Sequence, residues 1–218
     1  FGTDKRVNNF ISLGLNARLP GGARLGGGFD TGRSTIDQCF TVDAPGVVNF
    51  QFSAIGFAQT SFYGNTTIDG KPLCHVVTPF KAQTQVKLNG SFPLPKGFVA
   101  SGIYQDIAGV PILALNAATT AEIAPSLGRN LAGGARAATV PLVFPQTLFE
   151  ERTRRLDLRL TKNFQVTPRL RLQANLDAYN ALNASAVQAI QTTYGANWLT
   201  PTQILDPRIL QVSFQLTF

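Results

Sequence analysis

The final ten residues, Ile209-Leu210-Gln211-Val212-Ser213-Phe214-Gln215-Leu216-Thr217-Phe218, alternate apolar and polar side chains from Leu210 onward without a break. Successive side chains of an extended strand point to opposite faces. Leu210, Val212, Phe214, Leu216 and Phe218 therefore share one face, and Gln211, Ser213, Gln215 and Thr217 the other. The stretch is an amphipathic strand ending on an aromatic residue, which is how outer-membrane β-barrels finish. The open question is what meets its greasy face. A soluble sandwich would bury that face and solvate the other, whereas a membrane barrel would turn it to lipid and line a wet lumen with the polar one.

The same period recurs upstream. Ile11, Leu13, Leu15, Ala17 and Leu19 alternate with polar residues before Pro20-Gly21-Gly22, and Ala23, Leu25, Gly27 and Phe29 continue on a second strand. After some 50 residues without a clean period, Val86, Leu88, Gly90, Phe92 and Leu94 form a third strand. Pro95-Lys96-Gly97 then turns the chain, and Phe98 to Ala108 make a fourth strand whose faces are poorly separated. Leu156, Leu158 and Leu160 mark a fifth, and Val166-Thr167-Pro168-Arg169 make a turn. Leu170, Leu172, Ala174, Leu176 and Ala178 mark a sixth strand, and an irregular connection from Ala181 to Asp206 leads to the seventh. Connections alternate short and long, so all the tight turns fall on one side. Outer-membrane barrels sort their turns and loops in this way.

Composition points in the same direction. Charged residues are 14% of the 218, against about 25% in typical soluble domains. Glycine (20), proline (13) and phenylalanine (16) suit strands and turns. No apolar run of about 18 residues exists to make a transmembrane helix, but barrel strands need only about 10 alternating residues each. Arg159, Arg171, Asp157, Asp177 and Lys87 stand mid-strand on the polar faces, costly against lipid and natural against a wet lumen. The chain has no methionine and opens without a signal peptide, so it is expected to be a processed protein or a piece of a longer one.

Several stretches together resemble TonB-dependent outer-membrane receptors. They are Asp157-x-Arg159-x-x-Lys162 within Glu151–Phe164, Asp177-x-Tyr179-Asn180-x-x-Asn183, and Asp206-Pro207-Arg208 with the terminal Phe218. Gly32 to Cys39, Cys74 to Phe80 and Ser126 to Leu131 are similar to the large Oar-like subgroup, which carries an N-terminal carboxypeptidase-regulatory-like domain. The resemblance implies an all-β chain, about seven antiparallel strands of a 22-stranded transmembrane barrel, with residues 1–218 forming the C-terminal part of that one domain. It implies a plug inside the barrel and energy coupling through the TonB complex. Neither plug nor coupling box is present in this chain, and seven strands do not close a barrel, so the remaining strands and the plug are expected from elsewhere. Phe214, Leu216 and Phe218 would form the signal read by the barrel assembly machinery. The outer-membrane bilayer is the expected surroundings.

Cys39 and Cys74 both lie in the first long connection, on the expected extracellular side. An even count in an oxidising compartment favours a disulfide, the alternative being two unpaired thiols. His75 is the sole histidine, its spacing matches no zinc pattern, and it is expected to be a loop residue. A Ser-His-Asp arrangement would have to use it, and no G-x-S-x-G elbow exists, so no enzyme and no cofactor are expected. The net charge of +7 is dispersed along the sequence without interleaved aromatics, which argues against nucleic acid as a partner. Two functions remain as expectations. One is uptake of a scarce solute past Arg159, Arg171, Asp177 and Tyr179 along the lumen. The other is an Oar-like structural or adhesion protein whose loops bind partner proteins or matrix.

Overall fold

The computed structural model describes residues 5–39 and 67–218. Seven strands run in chain order across one sheet, each antiparallel to the next. They are β1 (Lys5–Arg18), β2 (Arg24–Asp37), β3 (Gln85–Leu94), β4 (Phe98–Ile107), β5 (Thr153–Gln165), β6 (Arg171–Tyr179) and β7 (Ile209–Thr217). These are the seven strands that the period of two marks out. β1 and β2 run further than the alternation of their apolar residues suggests, each reaching 14 residues. The sheet is open, and no described strand pairs with the outer edge of β1 or of β7.

Turn chemistry sets the three hairpins. Gly21 and Gly22 take φ of 79° and 82° after Pro20, the left-handed conformation that glycine adopts without a Cβ clash. The Lys96-Gly97 pair does the same after Pro95, at φ 62° and 75°. The third turn closes through Val166 N–H to the Leu170 carbonyl at 3.0 Å. In a chain-order antiparallel sheet alternate connections share an edge, so these three turns line one rim and the three long connections the other.

The register assembles one continuous apolar face. Leu216 lies opposite Leu172, Val212 opposite Leu176, Leu160 opposite Leu176 and Phe164 opposite Leu172. Leu158 meets Gly102, Leu88 meets Tyr104, Phe92 meets Ala100 and Leu13 meets Phe29. The opposite face carries Asp157, Arg159, Thr161, Asn175, Asp177 and Gln211. From Leu210 to Phe218 the apolar band takes eight residue steps. At about 3.3 Å per residue it runs about 26 Å along the strand.

Exposure of the two faces is inverted relative to a soluble sheet. Leu13 is 66% exposed, Val212 63% and Phe214 69%, whereas Thr161, Asn175 and Asp177 on the polar face are buried. No described element packs against the apolar face. The hydrophobic cluster among the described residues lies elsewhere, among the long connections, where Leu73, Val76, Leu113 and Phe144 pack with Ile68 and Leu115 around them.

The described parts of those connections hold more structure than their sequence suggests. His75–Thr78 forms a short strand that extends the sheet beside β2. The second connection holds a hairpin, Leu115–Thr119 with Ala137–Pro141, whose tip carries the helix Thr120–Leu127. The third holds the hairpin Val187–Ile190 with Pro201–Ile204. Leu115 bonds through its own N–H to Thr192 and through its carbonyl to Tyr194, and the Trp198 indole donates to the Leu113 carbonyl at 2.7 Å. The three long connections thus interlock into a cap over one rim.

Candidate functional site: the polar face and its loop cap

Toward the long-connection rim, β5 and β6 bring Arg159 and Asp177 directly opposite each other. The guanidinium grips the carboxylate with two bonds, Nε to Oδ1 at 2.5 Å and Nη2 to Oδ2 at 3.1 Å. Such a bidentate pair fixes both groups in orientation as well as charge. Asp177 is buried and Arg159 is about half exposed, so the guanidinium presents its remaining N–H groups to the space beyond. Tyr179, Asp157, Ser101 and Ile103 join them around a cavity of about 330 Å³.

Below this pair a neutral ladder crosses three strands. Thr161 donates to Asn175 Oδ1 at 2.8 Å, Gln173 to the same oxygen at 2.9 Å, and Asn175 Nδ2 to Ser213 at 3.3 Å. The polar face therefore satisfies itself sideways through these bonds, with no described element stacked on it.

Of the residues expected along a solute path, Arg159, Asp177 and Tyr179 come together in this cavity. Arg171 does not. It lies six residues from Asp177 on the same strand face, about 20 Å away along the strand, in a depression with Gln165, Gln173 and Thr217 near the tight-turn rim. The pattern put it on the same sheet face as Asp177 but could not give its distance from it.

Some of the motif residues, Asp157, Asn180, Asn183, Asp206 and Arg208, form the root of the third long connection. Asn180 ends β6 at φ 47° and is buried. Its backbone N–H reaches Asp157 Oδ1 at 2.8 Å, and its side-chain Nδ2 donates to the carbonyls of Ala184 and Asp206, both at 2.8 Å. Its Oδ1 accepts from the Ala184 N–H at 3.0 Å. Asn183 Oδ1 accepts the Arg208 N–H at 3.0 Å. Asn180 is thus a clasp closing the base of a loop of more than twenty residues, a role that its position in the motif alone did not disclose.

Cys39 and Cys74 form a disulfide across the first connection. Beside it, above the apolar band, the Asp37 carboxylate accepts the Cys39 N–H at 3.1 Å and stands 3.1 Å from His75 Nδ1. Those two contacts, the backbone bond first, hold the Asp37 carboxyl below its ordinary range. His75 is therefore a strand residue with a carboxylate neighbour, not the loop residue expected, because the short strand that carries it pairs with β2 rather than standing free. Arg152 binds Asp106 and the Thr84 carbonyl, the latter at 2.7 Å, tying the first and second connections together.

Among the described residues no three His, Cys, Asp or Glu side chains cluster as metal ligands. Arg159 is neutralised by Asp177, and Cys74, next to His75, is held in the disulfide. The arrangement is suited to hydrogen bonding a polar solute through Arg159 N–H groups and the Tyr179 hydroxyl. No protein-family model matches the chain, and no match is found among curated proteins.

Proposed function

We propose that this chain is part of the wall of a transmembrane β-barrel in a bacterial outer membrane. In this reading the apolar face meets lipid, the polar face lines the lumen and the loop cap lies outside the cell. One observation carries the reading: large apolar side chains are exposed across a whole sheet face while an ion pair and a hydrogen-bonded ladder occupy the other. In water that distribution would forfeit most of the hydrophobic driving force. In hydrocarbon it is the stable one.

The open edges of β1 and β7 extend the proposal. An unpaired strand edge in hydrocarbon leaves backbone groups unsatisfied at several kcal/mol each, so further strands complete the barrel. The likeness to TonB-dependent receptors rests on the sequence motifs that carry Asp157, Arg159, Asp177, Asn180 and Asp206. On that likeness the whole protein is an energy-coupled receptor that admits a scarce solute past a plug, with Phe214, Leu216 and Phe218 read by the assembly machinery. A second reading, an Oar-like adhesion or structural protein, draws on the interlocked, disulfide-bonded cap, which offers a fixed surface for partner proteins.

Expressing the complete reading frame tests both. The barrel reading requires retention in the membrane fraction after alkaline extraction and a gel mobility that changes on boiling. A freely soluble product would refute it. Uptake of solute that collapses on dissipation of the inner-membrane proton gradient supports the receptor. Unaltered uptake together with loss of cell adhesion in a deletion strain supports the alternative.

A further inference from the structure

Cations that are dispersed along the sequence are gathered in space. Arg18, Arg24, Lys96, Lys162, Arg169 and Arg171 all lie at or beside the tight-turn rim, where the flanking stretches 14–28, 88–102 and 159–175 contain no Asp or Glu. The other thirteen Lys and Arg are set against twelve carboxylates, so this rim holds nearly all of the net charge of +7. Every ion pair among the described residues lies toward the other rim, and none involves these six. Arg18 and Arg24 even stand directly opposite each other across β1 and β2, a like-charge pairing that is unfavourable without an anion nearby.

Lys162 shows where this rim sits. It occupies the apolar face, opposite Phe98 and Ala174. Its ammonium lies 4.4 Å from the centre of the Phe98 ring and 5.3 Å from that of Phe164, and it donates to the Lys96 carbonyl. A lysine on a lipid-facing strand that reaches back to the turn between two aromatic rings is snorkelling to an interface. Four residues above Phe98 on the same face, Gly90 and Gly102 face each other and leave an apolar dent of about 330 Å³ walled by Leu88, Phe92, Leu156 and Leu158. That dent lies about 13 Å from the Lys162 level, within reach of one acyl chain whose phosphate rests at the rim.

We infer that the tight-turn rim is a binding site for an anionic phospholipid, its headgroup phosphate held by Lys96, Lys162 and Arg169 and one acyl chain lying in the Gly90–Gly102 dent. The inference rests on the barrel reading. The site orients the protein as well, because it holds the tight turns at an anionic leaflet.

The test uses the complete protein, purified in a neutral detergent and followed by native mass spectrometry during titration with phosphatidylglycerol, phosphatidylcholine or inorganic phosphate. A basic residue near an anionic membrane surface is worth about fivefold in binding. The triple variant Lys96→Gln/Lys162→Gln/Arg169→Gln is therefore expected to lose on the order of a hundredfold in phosphatidylglycerol binding, with phosphatidylcholine binding unchanged and millimolar phosphate failing to compete. Gly102→Leu, which fills the dent, is expected to weaken the lipid several-fold while leaving the rim charges intact. Equal retention of the two lipids, an unaffected triple variant, or displacement by free phosphate would overturn the site. A protein released from membranes by alkali would overturn the barrel reading instead.

Discussion

Val212→Lys separates lipid from water at the apolar face. Val212 lies on β7 opposite Leu176 and is 63% exposed. If that face met water, lysine there would change stability by no more than about 0.5 kcal/mol, as at most surface positions. In a bilayer, lysine at the midplane of a barrel strand costs about 2–4 kcal/mol, falling to about 0–1 at the interfaces. Val212 sits two residues inside the upper end of the apolar band, about 5 Å deep at the usual rise and tilt. The expected cost is therefore about 2 kcal/mol, or about thirtyfold in the folding equilibrium. The control is Gln211→Lys, one residue away on the polar face and opposite Asp177, where lysine gains a carboxylate neighbour and should be neutral or slightly stabilising. Urea titration of the complete protein in phospholipid vesicles measures both. Variants of equal stability, within about 0.5 kcal/mol, would refute the assignment of faces.

Reduction of the Cys39–Cys74 bond, which closes a loop with a sequence separation of 35, removes roughly 4 kcal/mol of loop-entropy stabilisation from the cap. Alkylation before and after reduction, read by mass, should label no cysteine and then two. Asn180→Ala strips a buried clasp of its three side-chain bonds and should cost about 2–4 kcal/mol locally; the readout is faster amide exchange across 184–206 with little change in β1 to β3. The helix Thr120–Leu127 begins with a capping box in which Glu122 accepts from the Thr119 N–H and hydroxyl, bonds that lower the Glu122 pKa. A lowered folded pKa means stabilisation that is complete above the unfolded value and lost as pH falls through the folded one. Exchange within 120–127 should therefore accelerate on acidification below about pH 4.5, and Glu122→Gln should flatten that dependence.

The strands were legible because most alternate over enough residues for a period of two to stand out, and because proline-containing turns punctuate the hairpins. The long connections were not. Their strands, such as His75–Thr78 and Val187–Ile190, are four residues long and held by backbone bonds and a shared apolar cluster that leave no period. Arg159 and Asp177 were legible as polar-face residues, but their pairing depended on the register between β5 and β6, set by a turn between them. The rim of cations was hidden for a similar reason: positions 18, 24, 96, 162, 169 and 171 are neighbours only after the sheet has folded. Asn180 lay in a motif whose residue types were visible and whose clasp geometry was not.

The claim that the sheet stands in a bilayer is tested most directly along β7. Single cysteines from 209 to 217, spin-labelled in the complete protein in vesicles with the native pair left oxidised, report collision with oxygen, which concentrates in lipid, and with a water-soluble nickel chelate. The account predicts a period of two, with 210, 212, 214 and 216 favouring oxygen and 211, 213, 215 and 217 favouring the chelate. Equal access of the chelate to both sets, or oxygen preference on the polar set, would contradict it.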